Sequence, residues 1–523
     1  MIKSFAWILT AHCIITAASY EVGPSNFYRR IGDVPWETID AGDSVLIHYR
    51  SDPYHEKWVI CAQGTQDSPI VVLGIPSRSG PLPVIDGRNA TTRSHLNFWN
   101  EPRGIIKIGG ANTPADRLPK HIIIENLTIR SGRQPYSFTG RSGTTDYAKN
   151  CAAIFVEKGE NITIRRCELS DCGNGFFCAS GATNIIVEHC NVFDNGVENS
   201  IYEHNNYTEV HGITFQYNYF GPLRTDCPGN NLKDRSAGCV IRYNWIYGGN
   251  RQLDLVDAGH TDIYNDPTYR STFVYGNILI ERNGDGNSQI IHYGGDSGNQ
   301  TRYRKGTLYL YNNTIASYRT GNTTLLRLSS DGETADIRNN IIYTIAAGSR
   351  LAILTDEGEA NLRNNWYKNG RTISFSNNTA KVNFISGNIE GSDPGFADVD
   401  AMEFDLATGS VCINAGTDLP DAAVGAYVVA CQYRKHQAYE ARPADALIDI
   451  GAHEFSNAAI TESRPRRRTE QSGSSNALRL FASHATQDNL ASYTLHGRRY
   501  RRTRHDPVRH TVLCVQPVIR GRN

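Results

Sequence analysis

"LYLYNNTIASYRTGNTTLLRLSSDGETADIRNNIIY", Leu308–Tyr343, contains one motif twice. An alternating strand runs into paired asparagines and out into a second short apolar strand, and 27 residues separate Asn313 from Asn340. The unit extends both ways. "IIIENLTI", "ITIRRCEL", "IIVEHCNV", "ITFQYNYF", "CVIRYNWI" and "TFVYGNIL" precede it and "NLRNNWYK" follows, marked by Asn126, Cys167, Cys190, Asn218, Asn244, Asn277, Asn313, Asn340 and Asn365. The gaps are 41, 23, 28, 26, 33, 36, 27 and 25 residues, the pattern of a solenoid whose short coil is interrupted by longer loops. β-branched alternation, 47 glycines and only 2 methionines favour strands and turns over helices. Coils stacked about 4.8 Å apart bring each asparagine over the next, so that side-chain amides can bond along a ladder. The expected fold is an all-β, single-stranded parallel β-helix, with these asparagines structural. Cys167 and Cys190 occupy the same ladder as stacked thiols, since no histidine lies at zinc-site spacing.

Around this solenoid the composition changes only at the ends. "MIKSFAWILTAHCIITAAS", residues 1–19, has a lysine, an apolar run and small residues at Ala17 and Ser19, the plan of a secretory signal. No other apolar run reaches 18 residues, so the expected product is exported, without a membrane span. The 12 cysteines suit an oxidising compartment, where Cys412 with Cys431, or Cys172 with Cys178, could close loops. Asn89, Asn126, Asn161 and Asn206 begin glycosylation sequons. From Ser456 onward the chain has 13 Arg, no Lys and 4 acidic residues, leaving 40 basic and 49 acidic residues before it. The Arg-rich segment 456–523 has no apolar period and reads as a disordered tail. A net acidic body argues against a nucleic-acid partner. The expected organisation is a signal over 1–19, one β-helix domain over 20–455 and the tail, acting as a monomer.

The ladder resembles that of the pectin-lyase-like superfamily of secreted right-handed β-helices over residues 20–455. "IDAGDSVLIHYR" (39–50), "GTQDSPIVVLGIP" (64–76) and "PVIDG" (83–87) look like its opening coils. "SDPGFADVDAMEFDLATGSVCINAGT" (392–417) and "IDIGAHEF" (448–455) look like its closing segments. The resemblance implies a right-handed helix and leaves the reaction open, because the superfamily holds lyases, hydrolases, epimerases and adhesins.

A second strand per coil can be aligned as "AAIFVEK", "NGFFCAS", "NSIYEHN", "NNLKDRS", "RQLDLVD" and "SQIIHYG". Ile154, Phe176, Ile201, Leu232, Leu253 and Ile290 then form an apolar, inward column, and alternation turns the neighbours outward. One outward column is Phe155, Phe177, Tyr202, Lys233, Asp254, Ile291, and another is Glu157, Ala179, His204, Arg235, Val256, Tyr293. Lys233 and Arg235 thus share an outer face with Tyr202, His204 and Asp254, about 5 Å apart from coil to coil. Arg251, His292, Tyr293 and Asp296 are expected to wall the cleft, with His292 turned partly inward.

Such a set suits cleavage of a uronate polysaccharide by β-elimination. Lys233 is the expected base at C5, Arg235 the partner of the carboxylate, and Tyr202 or His204 the proton donor to O4. The "LKDRS" stretch is similar to the alginate and chondroitin lyases, in which a lysine base is followed one coil later by an arginine acid. Lys233 matches that lysine, whereas the arginine position falls near Val256, with Arg251 the nearest arginine. The superfamily resemblance also implies calcium, with Glu203, Asp234, Asp257 and Asp262 as candidate oxygen ligands. Two alternatives stay open: a glycoside hydrolase using Asp254 and Asp257, and a noncatalytic glycan-binding helix.

Overall fold

The computed structural model of the chain describes residues 17–376, 379–444 and 447–456. The tail beyond 456 and most of the expected signal lie outside the described residues. Strands 160–165, 183–188, 211–216, 237–242, 271–275, 307–311 and 334–338 follow one another in parallel register on one face. An 11-stranded sheet running from Val84–Asp86 to Ile389–Gly391 makes a second face. The third carries Ala152–Val156, Asn174–Cys178, Asn206–Thr208, Leu232–Asp234, Leu253–Leu255, Gln289–Tyr293, Thr323–Leu328 and Leu351–Asp356. The chain is a right-handed parallel β-helix. Inward side chains such as Ile164, Val187, Leu232, Leu253 and Leu310 are fully buried, each contributing about 1.5–3 kcal/mol on leaving water.

The asparagine ladder forms as its spacing predicts. Nδ2 of Asn218, Asn244, Asn277, Asn313 and Asn340 donates to the Oδ1 of the next member at 2.9, 2.9, 3.0, 2.9 and 3.0 Å, and Asn365 continues it to Asn388 at 3.2 Å. Cys190 and Cys167 precede them in the stack, the Cys190 N–H donating to Asn218 Oδ1 at 2.9 Å. Asn126 is one residue out of place: Leu127 aligns with Cys167, and Asn126 holds the left-handed position before the ladder with φ 59°. Arg166, His189, Tyr217, Tyr243, Asn312, Asn339 and Asn364 share that backbone conformation coil after coil. The ten described cysteines are all buried, and Cys412, Cys172 and Cys178 are free thiols, so neither Cys412–Cys431 nor Cys172–Cys178 is bridged. Asn206 points into the core with no exposure, which closes its sequon to modification.

Each ladder amide satisfies backbone groups as well as its neighbour. Asn277 donates to the carbonyls of Ile241 (2.8 Å) and Tyr275 (3.0 Å), and accepts from the N–H of Asn244 (2.9 Å). Asn277→Ala leaves these buried groups unpaired and should lower unfolding free energy by about 3 kcal/mol. The exposed Asn322→Ala should change it by less than about 0.5 kcal/mol; urea denaturation midpoints compare the two.

The segment after Ile389–Gly391 packs along the side of the helix. Tyr427 stacks on Phe273 with ring centres 3.9 Å apart, Tyr439 on Tyr217 at 4.2 Å, and Asn339 Nδ2 donates to the Thr417 carbonyl at 2.7 Å. No helix among the described residues is long and apolar enough to cross a membrane.

Candidate functional site

On the third face the outward column reads Phe155, Phe177, Tyr207, Lys233, Asp254, His292, Arg327 and Thr355. Lys233 over Asp254 is as expected. The residues on either side are not. Tyr207 stands where Tyr202 was expected, because residues 193–205 form a loop and the strand begins only at Asn206. Asn205 marks that start by joining a second ladder, Asn195–Asn205–Asn231, with both bonds at 3.0 Å. Ile201 and Tyr202 lie on the loop at 58% and 73% exposure, outside both column and site. A one-residue slip at Ile290-Ile291 exchanges the faces of the next strand. Ile291 pairs with Leu253 and points in, His292 joins the outward column, and Tyr293 is buried in the core.

Asp254 is the centre of the network. Its Oδ2 accepts from Lys233 Nζ at 2.6 Å and Asn230 Nδ2 at 2.7 Å; its Oδ1 faces His292 Nδ1 at 2.8 Å and Arg251 Nη1 at 3.7 Å. Burial alone would raise its pKa, but Lys233 and His292 outweigh burial and hold the carboxyl well below the usual range. Gly229 allows this coil to sit so close: a Cβ there would lie 1.8 Å from the Glu203 carbonyl oxygen.

Above the column Asp296 reaches down from the loop after Tyr293. Its Oδ2 meets Lys233 Nζ at 2.5 Å and its Oδ1 meets Arg235 Nη2 at 2.8 Å, so two cations grip one carboxylate. Asp257 fixes the loop by accepting from the backbone N–H groups of Asp296 (2.7 Å) and Ser297 (3.2 Å). Arg235 Nε also donates to the Tyr207 hydroxyl at 3.1 Å. Burial pushes the Lys233 ammonium towards a lower pKa, yet Asp254 and Asp296 together raise it above its ordinary value. In this arrangement Lys233 is charged at neutral pH.

His204 lies beneath this face, almost fully buried, and its Nδ1 accepts the Asn230 N–H at 2.9 Å. Burial, helped by Lys233, pushes its pKa down to about 3. It is a neutral support for the coil, without access to O4 of a sugar. Arg235 is mostly sheltered but reaches the surface, and Arg251 also contacts Gln289 Oε1 at 2.8 Å.

The four carboxylates expected to take calcium do not converge. Asp234 points inward and is saturated by Arg304 Nη2 (3.0 Å), Thr208 Oγ1 (2.7 Å) and the Ser236 hydroxyl and N–H (2.7 and 3.0 Å). Asp257 is spent on the loop, Glu203 on Ser200, and Asp262 on His211 at 3.2 Å. Among the described residues no group of three or more His, Cys, Asp or Glu has the arrangement of a metal site. These donors do not fit calcium.

No family model and no curated protein matches the chain. Among solved structures it is similar to pectate lyase Pel9A, with a TM-score of 0.47 and 12% identity over 84% of this chain and 97% of that one. An alginate lyase from Paenibacillus sp. str. FPU-7 gives 0.42 and 8% over 70% and 99%, and the GH136 lacto-N-biosidase from Eubacterium ramulus 0.45 and 11% over 71% and 67%. At such identities no residue role passes from these proteins to this chain, and the chemistry rests on its own side chains.

Proposed function

We propose that the protein cleaves an acidic, uronate-containing polysaccharide outside the cell by β-elimination. The observation that carries this reading is the clasp on Asp296. Lys233, on the strand Leu232–Asp234, and Arg235, just beyond its end, already hold one carboxylate between them, and its owner is a loop residue one-third exposed. A uronate carboxylate entering from solvent replaces Asp296 on Arg235, whose planar fork suits it. The acidic C5–H beside that carboxylate then faces Lys233 Nζ. Displacing Asp296 removes one of the two anions that keep Lys233 protonated, so the same event that binds substrate frees the base. Tyr207, whose hydroxyl already meets Arg235, takes the part first expected of Tyr202 and protonates the departing O4. Arg251 and Arg327, on either side of His292, extend the cationic wall along the polymer. Under this reading no step passes through calcium, and chelator should leave the rate unchanged.

A hydrolase using Asp254 and Asp257 is disfavoured by their burial, at 2% and 0% exposure, and by the low pKa of Asp254, which leaves it no proton to give. The discriminating experiment offers alginate, pectate, glycosaminoglycan and neutral glycans and follows absorbance near 232–235 nm. Only the unsaturated uronate formed by elimination absorbs there. New reducing ends without absorbance would point to hydrolysis, and binding without either product to a glycan-binding helix.

A further inference from the structure

The elimination reading uses neither His292 nor the residue beyond it. Ser329, which follows the strand Thr323–Leu328, has its Oγ 2.7 Å from His292 Nε2, while His292 Nδ1 is 2.8 Å from Asp254 Oδ1. We propose that Ser329, His292 and Asp254 form a nucleophilic triad that hydrolyses O-acyl esters carried by the same polysaccharide, an activity separate from chain cleavage.

The hydrogen-bond pattern fixes the roles. An ionised carboxylate only accepts, so His292 Nδ1 carries the proton that points at Asp254. In the neutral imidazole Nε2 is then an acceptor, and the hydroxyl on its other side is the donor. Burial, only partly opposed by Asp254, lowers the pKa of His292 and favours this neutral form. Asp254 cannot turn away, because Lys233 and Asn230 pin its second oxygen. Exposure is graded in the required order: Asp254 and His292 are buried, whereas Ser329 is half-buried at the rim.

A donor for the developing oxyanion is at hand. The Gly295 N–H donates to Ser329 Oγ at 3.1 Å, and an acyl carbon bonded to Oγ would bring its oxygen within reach of the same N–H. Glycine is required there, since a Cβ would lie 2.1 Å from the Tyr303 ring. The Gly295 carbonyl, 3.0 Å from Oγ, offers the hydroxyl a second acceptor in the resting state; attack requires rotation of the O–H to Nε2.

The reaction balances with water as the only co-reactant. Ser329 Oγ bonds to the acyl carbon as its proton passes to His292 Nε2. The bond from acyl carbon to sugar oxygen then breaks, and that oxygen takes the proton from Nε2. Water, activated by the same nitrogen, releases the carboxylic acid and restores the serine. The nucleophile does not depend on the elimination reading; only the choice of a polysaccharide ester does.

The test therefore uses a probe without sugar. Full-length protein is treated with a fluorophosphonate, and the modified peptide is identified by mass spectrometry. A single adduct at Ser329 is expected, absent in Ser329→Ala and formed at least about 10²-fold more slowly in His292→Gln. The wild-type result stands even if a variant fails to fold. A wild-type protein with a β-sheet circular dichroism spectrum that takes no adduct at Ser329 overturns the triad, as does labelling that survives in folded Ser329→Ala.

Discussion

Lys233→Ala should lower turnover on the true polysaccharide by at least about 10²-fold, the usual share of a general base. Alanine removes both a base and a buried ion-pair partner, so it cannot separate the two roles alone. Lys233→Arg can. Arginine keeps a cation next to Asp254 and Asp296 but does not lose its proton at any working pH. If Lys233 is the base, both variants are inactive. If it serves only to hold charge, Lys233→Arg retains most of the rate. In either variant Asp254 keeps Asn230, His292 and Arg251 as partners, so its carboxylate is not orphaned and the sheet spectrum should persist.

The largest stability effect is expected at Arg304, a residue with no contact to the proposed reaction. Its fully buried guanidinium meets Asp234 Oδ2 at 3.0 Å and donates to the carbonyls of Asp234 (3.1 Å), Ser236 (3.0 Å) and Val256 (3.2 Å). It ties the strand bearing Lys233 to the end of the loop bearing Asp296. Arg304→Ala leaves a buried carboxylate without its countercharge and should cost about 3–5 kcal/mol. Adding Asp234→Asn to the same chain removes the unpaired charge and should recover part of that loss. Denaturation midpoints of the single and double variants read the difference. Equal stability of Arg304→Ala and wild type would show that the pair contributes little to the fold.

The fold was legible because one residue type recurs at a position where the coil geometry leaves little choice. Asn218 to Asn365 align every backbone turn on that face, and the ladder holds wherever the motif is read. Lys233, Arg235 and Asp254 were legible for the same reason: the strand Leu232–Asp234 follows directly on a ladder asparagine, Asn231, and the next strand is close in sequence.

Where loops intervene, register was lost. Thirteen residues, 193–205, separate two coils and displaced the alignment by five positions, giving Tyr202 the place of Tyr207. The doubled asparagines of "HNNYT" and "GNNLK" would have brought it to within one residue. At Ile290-Ile291 either isoleucine satisfies an apolar inward position, so period-2 reasoning could not choose, and the choice decided between His292 and Tyr293. Ser329 carries no sequence signal. A serine after a strand becomes visible only when His292 is seen one coil away. Asp296 reads from sequence as a wall residue, yet its placement between two cations depends on loop contacts to Asp257 that no periodicity reports.

If Lys233 is a base held charged by Asp254 and Asp296, the most direct test is the pH dependence of kcat/KM in wild type and Asp296→Asn. Asp254 and Asp296 hold the Lys233 ammonium above its ordinary pKa in the free enzyme, so the neutral fraction, and with it kcat/KM, should climb about tenfold per pH unit into the alkaline range. Removing the Asp296 charge lowers that pKa. Asp296→Asn should therefore shift the rising limb of kcat/KM to lower pH and exceed wild type near pH 8, measured as uronate absorbance at substrate well below KM, where the rate reports the free enzyme in which Asp296 still holds Lys233. A wild-type rate already flat between pH 6 and 9, or a folded Asp296→Asn variant whose profile is unshifted, would contradict it.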